Sequence, residues 1–292
     1  MNQFKTLILL SLLSALLITV SYWLIGGWGG AMAGIFLAAL TNLGAWYYSD
    51  RIALAAYGAQ PVSPVQAPEL YQIVQRLTQR AGLPMPAIYI VPTSAANAFA
   101  TGRNPNHAAV AVTEGILNLL PEDELEGVIA HELSHVRNRD TLTQAVAATI
   151  AGAISFLAQL ASYSLWFAGG RGDGDEGPNP LGLLLTMMLA PIAATVIQLG
   201  ISRTREFAAD AGAARLTGNP RALARALQRL ENLGRQLPLE ANPAFEPLLI
   251  SHPSSSQFMA NLFSTHPSTQ ARVENLLKLE QEIAQNSTLA RF

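Results

Sequence analysis

VIAHELSHVRNRD, residues 128–140, places two histidines four positions apart with a glutamate directly after the first. On an α-helix, positions i and i+4 share a face, so His131 and His135 can present two imidazoles to one cation. Glu132 lies about 100° round such a helix from His131. From there its carboxylate reaches a water on the cation more readily than the cation itself. Two histidines are too few, because a catalytic zinc takes three protein ligands and a water. The chain has no cysteine, so the third ligand must be a carboxylate or another histidine.

Glu206, in SRTREFAAD (202–210), is the expected third ligand. This stretch reads as a helix, and Asp210 follows Glu206 by one turn on the same face. A second carboxylate there suits the N–H of a ligating histidine, as metal sites require. The expectation is one Zn2+ per chain on His131, His135 and Glu206. Seventy residues separate His135 from Glu206, so something must fold the intervening chain back on itself.

The composition supplies it. Only 13% of residues are charged, against about 25% in an ordinary globular domain. No Asp, Glu, Lys, Arg or His occurs between Thr6 and Ser49, between Thr141 and Gly170, or between Gly177 and Ser202. A spanning helix needs roughly 20 apolar residues. Four segments qualify: Thr6–Ile25, Ala31–Tyr48, Leu142–Ala168 and Leu181–Ile201. They pair as two hairpins. A hairpin puts its two ends about 10 Å apart, which brings the helix of His135 beside that of Glu206. Lys5, Arg51, Arg137, Arg139, Arg203 and Arg205 flank the segments on one common side, and positive residues favour the cytoplasm. The catalytic residues are therefore expected on the cytoplasmic face of a multi-pass membrane protein. A net charge of −2 gives no argument for nucleic acid.

Outside the apolar windows the chain is polar and periodic. PELYQIVQRLTQRAG puts Leu70, Ile73, Val74 and Leu77 on one helical face and ends at Gly82. AIYIV, NAFATG and HAAVAVTEGIL read as three strands of a meander. A helix opens at Pro121 with acids in its first turn. Helices end at Gly218, start at Pro220, and close the chain after Ser268. The Pro-, Ser- and Asn-rich residues 237–265 read as a long loop that can act as a lid. The fold class is mainly α with a small antiparallel β-sheet and four transmembrane helices. The domain organisation reads as a first transmembrane hairpin (1–50), the first part of the catalytic domain (51–140), a second hairpin (141–202) and the second part of the catalytic domain (203–292).

NAFATGRNP, AHELSHVRNRDT, SRTREFAADAGAA and STHPSTQAR, in this order after two apolar segments, resemble the HtpX-type membrane zinc metalloproteases of the Ste24/CAAX prenyl peptidase class. The resemblance covers nearly the whole chain. It implies a zincin-like catalytic domain, with His131, His135 and Glu206 on zinc, Glu132 as catalytic base and Asp210 orienting a ligand histidine. It also implies that His266 and Arg272 help hold substrate or the oxyanion, His266 as a catalytic group. His252, in a second His-Pro pair, is the alternative to His266. Asn97 and Ala98 match an edge strand that receives substrate backbone. The implied role is the degradation of misfolded or damaged membrane proteins at the bacterial inner membrane. Two other readings stand beside it. An intramembrane metalloprotease would need its motif inside an apolar span, yet Glu122, Asp123, Glu124, Glu126, Arg137 and Arg139 surround this one. A non-catalytic membrane adaptor with a structural metal would want four protein ligands.

Overall fold

The computed structural model describes residues 2–151, 154, 203–234 and 267–289. Two long helices open the chain, α1 (Asn2–Ile25) and α2 (Gly27–Ala56). Gly26 and Gly27, at φ 91° and 56°, turn one into the other, a reversal that side chains with a Cβ disfavour. The pair packs along its length. Asn42 Nδ2 donates to Ser14 Oγ at 2.8 Å and to the Leu10 carbonyl at 3.3 Å, the kind of polar link that joins apolar helices. Among the described residues, α2 is the one helix long and apolar enough to cross a membrane. It leaves Met32, Phe36, Leu40 and Leu43 exposed. The first part of the third apolar window, Thr141–Ala151, is helical (α6). The rest of that window and Leu181–Ile201 lie outside the described residues, as do 237–265.

Strand β1 (Gln60–Pro61) is followed by α3 (Pro68–Ala81), which buries the expected Leu70, Ile73, Val74 and Leu77. Each such side chain contributes about 1.5–3 kcal/mol of burial. Gly82 ends α3 in the left-handed conformation. Then come β2 (Ala87–Val91), β3 (Ala98–Gly102), β4 (Ala108–Thr113) and the short α4 (Glu114–Leu119), capped by the Thr113 hydroxyl, which accepts from the Ile116 N–H. The sheet order is β1-β2-β4-β3. This corrects the antiparallel meander: β4 pairs antiparallel with β3 but parallel with β2. All six β4 residues are buried. A small apolar strand shielded on both faces suits the middle of a mixed sheet, and the sequence pattern does not encode neighbour order. The consequence is that β3 takes the edge.

Helix α5 (Glu122–Asn138), which carries His131, Glu132 and His135, begins after Pro121 with three acids in its first turn. The second half supplies α7 (Arg203–Thr217), α8 (Pro220–Gly234) and α9 (Thr269–Leu289). Strand alternation divides the interior in two. Ile88, Ala98, Ala100, Val110 and Val112 join a core with α3, α5, α7, α8 and α9. Val91, Phe99, Ala109 and Ala111 face the other way, onto Leu9 and Leu13 of α1, Ala53 and Leu54 of α2, and Val146 to Ile150 of α6.

Helices α5 and α7 lie close because Gly212 presents no side chain. A Cβ there would stand 2.5 Å from Ser134 Oγ and 2.9 Å from its Cβ. Gly212→Ala is expected to cost about 1–3 kcal/mol and to lower the unfolding midpoint in detergent. Adding Ser134→Gly should restore most of the loss; strictly additive effects would refute the close approach.

Candidate metal centre

Helix α5 delivers His131 and His135 one turn apart, and α7 crosses it to deliver Glu206. His131 Nε2 and His135 Nε2 are 3.2 Å apart. Glu206 Oε2 is 3.7 Å from the first and Oε1 is 3.5 Å from the second. All three residues are 4% exposed or less. A zinc ion with bonds of about 2.0–2.1 Å in tetrahedral geometry sets its ligand atoms about 3.3 Å apart. The histidine pair matches that figure; the carboxylate turns a different oxygen to each imidazole, and with one donor atom from each residue the three lie within 4.8 Å of one another. The sequence-based choice of Glu206 thus lands on the two imidazoles.

The far side of each ring is also occupied. His131 Nδ1 is 2.9 Å from Asp210 Oδ1. His135 Nδ1 is 3.1 Å from Asp140 Oδ2. A carboxylate on Nδ1 holds the proton there in the neutral ring, which leaves the Nε2 lone pair for a cation. The residues therefore fit zinc in number and chemistry.

Asp210 was legible as a support for a ligand, and it takes His131. Arg272 lies on its other side: Nε donates to Oδ2 at 2.9 Å and Nη2 to Oδ1 at 2.7 Å. Arg272 Nη2 also lies 3.3 Å and 3.4 Å from the two His131 ring nitrogens. The structure thus places Arg272, expected beside substrate, 3% exposed and forked onto Asp210. Asp140 is the residue that the sequence reading did not assign to the site. It directly follows Arg139, whose left-handed φ of 58° ends α5 and folds the chain back under His135. His266 and His252 lie outside the described residues.

Glu132, next to His131 on α5, is buried close enough to His131, His135 and Glu206 to feel their charges. Its Oε2 accepts the Ala100 N–H of β3 at 2.8 Å. Burial pushes its carboxyl above the usual range, against the opposing pull of His131 and His135. Burial also works against ionised Asp210, but the charge and hydrogen bonds of Arg272 hold it below the usual range. For His131, burial and Arg272 favour the neutral ring, and the Asp210 and Glu206 contacts outweigh them, raising it to about 9.

Asn97 and Ala98 stand at the start of β3, which is last in the strand order, and both are buried. The Thr113 N–H donates to the Asn97 carbonyl at 3.0 Å, so alternation turns the peptide groups of Ala98, Ala100 and Gly102 outward. Asn97 Oδ1 accepts the Ala98 N–H at 2.9 Å, and Thr141 Oγ1 donates to the Gly102 carbonyl at 2.8 Å.

Two helices offering a two-histidine, one-carboxylate site beneath a strand edge make this a metallopeptidase-type centre, and the comparisons agree. Residues 64–280 match the model of Peptidase family M48. A protein named "Protease HtpX homolog" from Nostoc sp. (strain PCC 7120) is 73% identical over 283 residues, covering 97% of this chain and 98% of its own. One of the same name from Pyrococcus abyssi is 50% identical over 280 residues, covering 96% of each. The chain belongs to peptidase family M48 and, within it, to the HtpX type. S. mikatae Ste24p aligns with a TM-score of 0.47 at 21% identity, covering 83% of this chain and 57% of that one. By family, then, this is a metalloprotease.

The Asp210–Arg272 pair is fully buried, so breaking it strands a charge. Asp210→Ala is expected to destabilise the metal-free protein by about 3–5 kcal/mol. Asp210→Ala with Arg272→Met should recover much of that in chemical denaturation. Equal losses in the single and double variants would contradict the pairing.

Proposed function

We propose that this chain is a membrane-anchored, zinc-dependent endopeptidase with a cytoplasm-facing active site that hydrolyses misfolded or damaged membrane proteins. The observation that carries this reading is the spacing of His131 Nε2, His135 Nε2 and the Glu206 carboxylate, which suits a tetrahedral ion. When bound, zinc supplies Lewis acidity that makes a water nucleophilic near neutral pH and polarises a carbonyl. Glu132 takes the proton from the attacking water and hands it to the leaving amine. Its raised pKa favours both halves of that task, because a carboxylate that ionises too readily is a poor base.

Substrate enters as an added strand along β3. Asn97 and Ala98 begin that edge, and the outward carbonyls of Ala98 and Ala100 accept main-chain hydrogen bonds with little demand on side chains, while the two N–H groups are held by Asn97 and Glu132. This suits unfolded segments of many sequences. Arg272 keeps a fixed positive charge beside His131, and His266, six residues before it, completes the machinery that steadies the oxyanion. Bilayer residence is supported by the apolar exposed face of α2 and by the uncharged windows. The clustering of Lys5, Arg51, Arg137, Arg139, Arg203 and Arg205 at window ends supports the cytoplasmic orientation.

The test is metal analysis beside a cleavage assay on the purified full chain. Wild type should hold one zinc and Glu206→Gln should lose it. Glu132→Gln should keep zinc while cleavage of an unfolded membrane-protein substrate falls by about 10²–10⁴-fold. Undiminished zinc in Glu206→Gln, or normal cleavage by Glu132→Gln, would sink the mechanism.

A further inference from the structure

Each of the two histidines has a buried carboxylate on its Nδ1, from unrelated parts of the chain. Asp210 sits between His131 and Arg272. Asp140 sits between His135 and Arg205: its Oδ2 is 3.1 Å from His135 Nδ1, and its Oδ1 is 3.8 Å from Arg205 Nη1. Asp140 is 1% exposed, as deeply buried as the ligands themselves. We infer that Asp140 is a positioning residue for zinc, fixing the direction of His135 through Nδ1, with the positive charge of Arg205 3.8 Å from its other oxygen. This rests on the reading of His131, His135 and Glu206 as zinc ligands.

The local geometry is built for that role. A helix that simply continued past Asn138 would carry residue 140 onward along the helix axis. Instead Arg139 adopts φ 58°, the one positive value among the described non-glycine residues. Such a conformation is uncommon for a side chain with a Cβ, and it costs energy that the surroundings must offset. Here the reversal is held by the Arg139 N–H on the Val136 carbonyl at 3.1 Å and the Asp140 N–H on the His135 carbonyl at 3.0 Å. Asp140 is thus bonded to His135 twice, by backbone and by side chain.

The same residue ties the site to the membrane segment. The Asp140 carbonyl accepts the Gln144 N–H at 3.1 Å and so starts α6. Arg205 stands one residue before the third ligand, on the far side of residues 141–202. One residue therefore meets the second histidine and the helix of Glu206 through its carboxylate and the first turn of α6 through its backbone carbonyl. Thr141 next to it grips Gly102 but touches no ligand, which provides a control at the same junction.

The experiment uses the purified full chain in detergent, in the Glu132→Gln background to prevent self-cleavage. Zinc affinity is measured by competition with a chromophoric chelator, and the site is also loaded with Co2+ to record its visible d–d bands. Asp140→Ala should weaken zinc binding by about 10–100-fold and shift the cobalt bands. Asp140→Asn, which keeps an acceptor of the same shape, should restore part of the affinity. Thr141→Val should leave affinity and spectrum unchanged. Parental affinity and spectrum in Asp140→Ala would overturn the inference, and so would an equal loss in Thr141→Val, which would mark general damage to the junction. Should Asp140→Ala fail to fold, Asp140→Asn decides: an unchanged affinity and spectrum there is equally fatal. A parent that takes up no zinc overturns the underlying assignment of the ligands instead.

Discussion

Three electron-pair donors held within 4.8 Å of one another in a dry interior repel each other unless something positive lies between them. Everything around this site serves to keep them there. Four carboxylates, Glu132, Asp140, Glu206 and Asp210, are 3% exposed or less. The arginines that face them are Arg205 and Arg272. A divalent cation among the donors would offset part of this buried negative charge. Buried acids without compensation would be strongly destabilising.

Each arginine reaches its carboxylate from a different part of the chain. Arg272 opens α9 and backs Asp210 on α7. Arg205 is on α7 and backs Asp140 at the end of α5. The metal centre is therefore where α5, α7, α9 and the start of α6 are fastened together. Close helix packing makes this feasible, since Gly212 lets α7 approach α5 near enough for one carboxylate to bridge two histidines on its neighbour. Metal binding to such an arrangement couples to folding of the whole catalytic half.

The candidate donors were readable in the sequence because helical spacing turns residue types into a face. His131, His135 and, one turn apart, Glu206 and Asp210 needed only a period of 3.6 and the absence of cysteine. Which helix would receive α9, and hence that Arg272 would fork onto Asp210, is a tertiary fact with no local signature. Asp140 escaped for a different reason. It lies five residues after His135, off the ligand face of any continued helix, and only the left-handed Arg139 brings it back. A glycine at 139 would have signalled that reversal; an arginine in a basic stretch reads as a membrane-flanking charge. Sheet order was hidden likewise, because β2, β3 and β4 carry similar small apolar runs and pairing partners are chosen by packing.

That sheet order matters for how substrate and bilayer meet. With β4 in the middle, β3 is left at the edge above α5, and its two faces belong to different cores. Ala98 and Ala100 pack with the catalytic helices, while Phe99 points into the core shared with α1, α2 and α6 and stacks on Tyr57 with ring centroids 5.0 Å apart. Thr141, at the start of α6, holds the outward carbonyl of Gly102, and Thr6 of α1 meets Thr143 at 2.9 Å. The strand proposed to receive substrate is thus fixed from one side by the ligand-bearing helix and from the other by apolar helices. A displacement of those helices would move Phe99, and with it the spacing between the strand edge, Glu132 and the three donors. Anchoring and catalysis are in this sense one mechanical unit, because the Ala100 amide that holds Glu132 is adjacent in the chain to the ring that the anchor holds.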